Sequence, residues 1–117
     1  MDAEQVARYR ADLEAQRQHL REEIAGMGGD PDSDVAEFDV ERGFADSAQS
    51  TAERERLLSV MRALRSNLGW VERALRKMDL GTYGVCESCG EPIATERLEA
   101  LPWAALCVAC KARGEGR

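Results

Sequence analysis

The stretch LLSVMRALRSNLGWVERALRKMDL, residues 57–80, decides the fold. Its large apolar side chains recur at Leu57, Met61, Leu64, Leu68, Val71, Leu75 and Met78, and the spacings alternate strictly between four and three. A mean step of 3.5 residues keeps one narrow apolar stripe against a partner helix as the two supercoil, so the pattern predicts a coiled-coil seam. Arg, Glu, Ser and Asn fill most of the intervening positions, as a solvated face requires. Residues 47–80 contain no proline, and the whole span is expected to be one helix, roughly 50 Å long at 1.5 Å per residue. Gly69 lies in its middle and costs about 1 kcal/mol relative to Ala. A close approach of the partner helix beside Trp70 is one reason to keep a glycine there.

The partner lies upstream. Residues 3–27 repeat apolar side chains at Val6, Leu13, Leu20 and Met27, seven apart, with Ile24 as an intermediate position. Arg10 and Arg17 fall where a second apolar residue would be expected. Their aliphatic stems are expected to lie along the seam while the guanidinium groups reach water. Gly26, Gly28, Gly29 and Pro31 stop this first helix. An intramolecular antiparallel hairpin is the economical pairing, with a homodimer through the same stripe as the alternative and the monomer favoured. Asp46 with Gln49, or Ser50 with Glu53, fits the capping of the second helix.

Charge is concentrated between the two helices. The chain has 117 residues and a formal charge of -6. Residues 30–46, DPDSDVAEFDVERGFAD, hold the seven acids Asp30, Asp32, Asp34, Glu37, Asp39, Glu41 and Asp46 against the single base Arg42. The other 100 residues carry 15 acids and 15 bases, so the whole excess sits at the hairpin tip. An acidic chain without a basic tract is a poor phosphate tracker, and direct nucleic-acid binding is disfavoured. The first twenty residues lack the apolar run of a signal peptide, and no window approaches the ~20 apolar residues of a spanning helix. A soluble cytoplasmic chain is expected. With only two Trp, two Tyr and two Phe, a thick core is not expected, and stability must come from elsewhere.

The composition changes after Leu80, where a domain boundary is placed between residues 1–80 and 81–117. The second part contains all four cysteines, Cys86, Cys89, Cys107 and Cys110. Two C-x2-C pairs separated by 17 residues have the spacing of a tetrathiolate zinc site. Gly90, just after the first pair, is suited to the positive φ of the tight turn. A module of under 40 residues with so few large apolar side chains needs the metal in order to fold, so one structural Zn2+ is expected. Two disulfides or a thiol relay are the alternatives, but a reducing cytosol favours metal. Four thiolates fill a tetrahedral shell and leave no position for water. The single histidine, His19, belongs to the first helix and is expected at the surface. No Ser-His-Asp set, Cys-His pair or phosphate loop appears, so an enzyme is not expected. Four thiolates around Zn2+ would add a local charge of -2 at the finger.

A charged helical hairpin followed by Gly81, Tyr83, Gly84, Cys86, Cys89, Gly90, Ile93, Arg97, Leu98, Glu99, Ala100, Pro102, Cys107 and Cys110 closely resembles the DksA/TraR family of bacterial transcription regulators. The resemblance is dense over residues 46–110. It implies a hairpin that enters the secondary channel of RNA polymerase and brings an acidic tip near the active centre without touching DNA. The family's tip motif is Asp-x-x-Asp-x-Ala. Aligned without a gap from the first cysteine, it places its second Asp on Asp46 and its Ala on Ala48, while its first Asp falls on Gly43. Asp39 or Glu41 would supply the missing charge from the loop. The family's alarmone response uses basic side chains on the second helix and after the finger; here the helix reads Ser66, Asn67, Leu68, Gly69 and Trp70, and only seven residues follow Cys110, so that coupling is not carried over.

The expected fold is therefore mainly α: an antiparallel helical hairpin (coiled coil) followed by a small C4 zinc-finger module. The expected function is regulation of bacterial RNA polymerase through the acidic tip, with the finger as a structural part. Two other functions fit the residues, a coiled-coil adaptor or homodimer clasped by zinc, and a redox sensor whose thiolates eject the metal on oxidation.

Overall fold

A computed structural model of the chain describes residues 1–32 and 51–114. Among the described residues four helices follow in order: α1 (Ala3–Gly26), α2 (Thr51–Leu80), α3 (Thr95–Ala100) and α4 (Val108–Ala112). Among the described residues there is no strand, only an isolated antiparallel bridge between Val85 and Pro92. The two long helices are those predicted from the 3.5-residue period and its upstream repeat. Asp39, Glu41, Asp46 and Ala48 lie outside the described residues, as do Gln49 and Ser50.

The start of α1 is capped by Asp2 and Gln5. Asp2 Oδ1 accepts the Gln5 main-chain N–H at 2.8 Å, and Gln5 Oε1 accepts the Asp2 N–H at 3.1 Å. This reciprocal pair satisfies donors that the first helical turn leaves without partners. The other end closes by the glycines. Gly28 has φ +94, its N–H bonds to Ala25 O, and the Gly29 N–H returns to Ile24 O, both at 3.0 Å. These two bonds form a Schellman stop, which needs a left-handed residue at its centre.

The described chain divides into two compact units, residues 17–69 and residues 1–16 with 70–117. In the first, Ile24 and Met61 are fully buried and Leu68 nearly so, with Leu20, Met27 and Leu64 packed around them. A residue near the end of α1 meets one near the start of α2, which makes the pairing antiparallel. Met61 and Leu68 belong to the α2 seam, and Leu64 packs beside them, so the stripe is covered by α1 of the same chain. Arg21 of α1 reaches Asp32 at 2.9 Å, and Arg65 Nη1 of α2 donates to Asp30 O at 2.9 Å. The first residues of the acidic stretch are thereby tied to both helices.

In the second unit, Tyr9, Leu13, Val71, Ala74 and Met78 are buried together with Ile93, Leu98 and Leu106 of the C-terminal module. Arg10 near the start of α1 pairs with Asp79 near the end of α2 at 3.0 Å, again antiparallel. This is how α1 accommodates an arginine at a seam position: its head finds a carboxylate. Val6 is only half-buried. The aromatic Tyr9 takes its place as the anchor of this end. His19 is exposed, 3.5 Å from Glu23 one turn later.

Gly69 departs from the sequence expectation. A Cβ built there meets nothing within 4 Å, and the residue is exposed. Among the described residues no helix approaches closely enough to demand a glycine.

Candidate metal centre

The first cysteine pair is shaped by a short loop. Gly84 and Gly90 hold φ +84 and +79, conformations that cost a side-chain-bearing residue about 1–2 kcal/mol. Between them the Cys86 N–H bonds to Glu91 O at 2.8 Å and the Gly90 N–H bonds back to Cys86 O at 3.0 Å. The chain turns tightly enough to set Cys86 and Cys89 on one side, as predicted for Gly90. The Ile93 N–H closes the loop on Gly84 O at 2.8 Å. The second pair uses a helix: Cys107 stands immediately before α4 and Cys110 lies within it. The Glu87 N–H bonds to Ala105 O at 2.9 Å, drawing the second segment against the first.

The result brings together all four cysteines predicted as ligands. Their Sγ atoms lie within 4.8 Å of one another, and Cys89 Sγ and Cys107 Sγ are 3.8 Å apart. Zinc–sulfur bonds of about 2.3 Å at tetrahedral angles separate neighbouring sulfurs by about 3.8 Å. The set therefore fits one tetrahedral ion with no protein ligand to spare. Bound there, zinc would supply a four-way crosslink between the two cysteine-bearing segments.

The sulfur environments are unequal. Cys86 and Cys110 are buried, Cys107 is half-buried and Cys89 is exposed. Main-chain N–H groups, first that of Cys107 and then that of Cys89, point at Cys86 Sγ and hold its thiol at about 6, so it is a thiolate at neutral pH. Burial pushes the Cys110 thiol up to about 12, so without a metal it would keep its proton. A cation stands beside it: Arg113 Nη2 donates to Cys110 Sγ at 3.2 Å.

Polar bonds link the module to the two long helices within its own unit. Tyr9 Oη donates to Glu99 Oε2 at 2.9 Å, and Arg8 reaches the same oxygen at 2.8 Å. Arg73 Nε donates to Glu87 at 2.9 Å, and Lys77 lies 3.3 Å from the same carboxylate. Tyr83 Oη donates to Pro102 O at 2.8 Å, its ring 6.0 Å from that of Tyr9. Arg97 Nε donates to Leu106 O at 2.8 Å. Tyr83, Arg97, Glu99 and Pro102 of the sequence motif thus hold the finger together and to α1. Tyr9, Arg73 and Arg113 could not be assigned roles from the sequence, because nothing local marks a partner 90 residues away or a cation beside a sulfur. Both tryptophans, Trp70 and Trp103, line a hollow of about 370 Å³ beside the finger, with Leu101, Leu106, Arg97 and Lys111.

A paired-helix protein carrying a tetrathiolate finger is the class that this fold and site define. Residues 81–115 match the model of the prokaryotic dksA/traR C4-type zinc finger. The whole chain aligns at 35% identity over 121 residues with the RNA polymerase-binding transcription factor DksA of Escherichia coli K12, spanning 76% of that protein. The factor of the same name from Haemophilus influenzae is 32% identical over 120 residues, with 79% of its length spanned. Among solved structures, transcription factor DksA2 from Pseudomonas aeruginosa superimposes with a TM-score of 0.74 at 30% identity, over 97% of this chain and 85% of that one. The chain belongs to the DksA/TraR family of C4 zinc-finger proteins.

Proposed function

We propose that the chain is a bacterial transcription regulator that binds RNA polymerase, acting in the cytoplasm as a monomer and without chemistry of its own. What supports this reading is the position of the acidic stretch in the sequence. Residues 30–46 lie in the sequence between α1 and α2, and the finger is bonded to α1 through Tyr9 and to α2 through Arg73. Within a chain otherwise balanced in charge, the excess of -6 thus falls in the sequence between the two long helices. A charge of this kind is steered into a basic channel of a partner and kept from a nucleic-acid backbone. Asp46 and Ala48, helped by Asp39 and Glu41, are the residues proposed to act at the secondary channel. The zinc finger is proposed to be the fixed base, with the functional boundary near residue 80. No helix among the described residues is long and apolar enough to cross a membrane.

The adaptor reading is not favoured, because Ile24 of the same chain covers Met61 and Leu68 of the α2 stripe. Core RNA polymerase should retain the full chain at low salt and release it as salt rises. In initiation assays Asp46→Asn should weaken the effect on transcript yield while leaving retention measurable. No retention at low salt would sink the proposal. Unchanged transcription with Asp46→Asn would reduce that residue to a helix cap. A sedimentation mass of two chains would return the homodimer to consideration.

A further inference from the structure

We propose that Arg113 is a positioning residue of the metal centre, whose guanidinium offsets part of the negative charge on the bound tetrathiolate at Cys110 and so sets how tightly zinc is held. Four thiolates around one Zn2+ carry a net charge of -2. Such a unit is stabilised by N–H groups aimed at its sulfurs, because each donor draws electron density from the sulfur and reduces repulsion among the four. For Cys86 the main chain provides these donors, through the N–H groups of Cys107, Cys89 and Ser88. For Cys89 the main-chain donor is Glu91. Cys110 is buried, as Cys86 is, and side chains donate to its sulfur. One is the Ser88 hydroxyl, and the other is Arg113, with Nη2 3.2 Å from the sulfur.

The geometry of α4 explains why Arg113 reaches it. Residues three apart on a helix share a face, and Arg113 follows Cys110 by three as the residue that ends α4. Its own main chain is fixed, since its N–H bonds to Ala109 O at 3.1 Å. The next residue, Gly114, turns away with φ +76 and bonds to Lys111 O at 3.0 Å. The guanidinium is therefore aimed by the structure, and it is a permanent cation at any pH the protein meets.

The test uses the full chain loaded with one zinc. Affinity is measured by competition with a chelator at fixed pH, and Co2+ substituted for zinc reports on the sulfurs through its thiolate-to-metal charge-transfer band. Arg113→Leu should weaken zinc binding roughly 10-fold, the low end of the range for outer-shell partners of a metal site. It should also move the cobalt band to longer wavelength, because a thiolate without its donor is more electron-rich. Arg113→Lys, which keeps the charge, should stay closer to the wild type than to the leucine variant in both readouts. Wild-type affinity with an unmoved band in Arg113→Leu would overturn the proposal, as would an Arg113→Lys variant as weak as the leucine one. If the leucine variant takes up no metal, Arg113→Gln replaces it, with the same weakening expected and wild-type affinity again overturning the idea. An arginine that merely ended the helix would leave the cobalt spectrum unmoved.

Discussion

Single residues carry the finger. Gly90 holds φ +79, and a Cβ there meets nothing within 4 Å, so the cost of Gly90→Ala is purely conformational. The expected loss is about 1–2 kcal/mol, measurable as a lower denaturation midpoint of the zinc-bound chain, with one zinc still retained. Tyr83 offers a pH test. Desolvation pushes its phenol well above its ordinary value near 10, and burial does the same for Tyr9. Above pH 10 the unfolded chain loses these protons while the folded chain keeps them, so stability must fall as pH rises through that region, and these groups leave it unchanged below. Melting temperature measured from pH 8 to 11 should therefore decline above 10. Tyr83→Phe should start about 1 kcal/mol lower, having lost its bond to Pro102, and should decline less steeply. An equal slope in both proteins would show that the phenol of Tyr83 does not titrate in this way.

At the scale of elements, α2 shows how far a periodic pattern can be trusted. Met61, Leu68, Val71 and Met78 of the predicted stripe are buried, and Leu57, Leu64 and Leu75 are half-buried. The period is imposed by helix geometry, which every residue shares, so it is legible without knowing the partner. What faced Gly69 was not legible, because an apolar repeat says which side is covered but not how close the covering helix comes. The open surroundings of Gly69 lead to a stabilising prediction: Gly69→Ala should add up to about 1 kcal/mol by reducing the freedom of the unfolded chain. Ile24→Ala, which empties a fully buried site, should cost about 2–5 kcal/mol. Denaturant melts of the two variants should move in opposite directions, and a destabilised Gly69→Ala would mean that α2 needs flexibility there.

For the whole molecule, metal and helices contribute to stability in different ways. The helices α3 and α4 supply 11 of the 65 helical residues among those described, so stripping zinc should leave most of the far-ultraviolet helical signal. Both tryptophans line the hollow beside the finger, so the same treatment should shift tryptophan emission to the red as the module opens, and Cys86→Ser should reproduce it. Coincident loss of both signals would mean that the metal holds the long helices too. The sequence by itself determined the helical pair and the ligand set. A 3.5-residue repeat and two C-x2-C pairs are short-range patterns, whose chemistry is complete within a few turns of chain. Only the tertiary structure decided that Tyr9 bonds Glu99, that Arg73 and Lys77 share Glu87, that Arg113 stands beside Cys110, and that Gly69 faces open space. Each of these depends on where a folded backbone brings a side chain, and spacing along the chain does not carry that information.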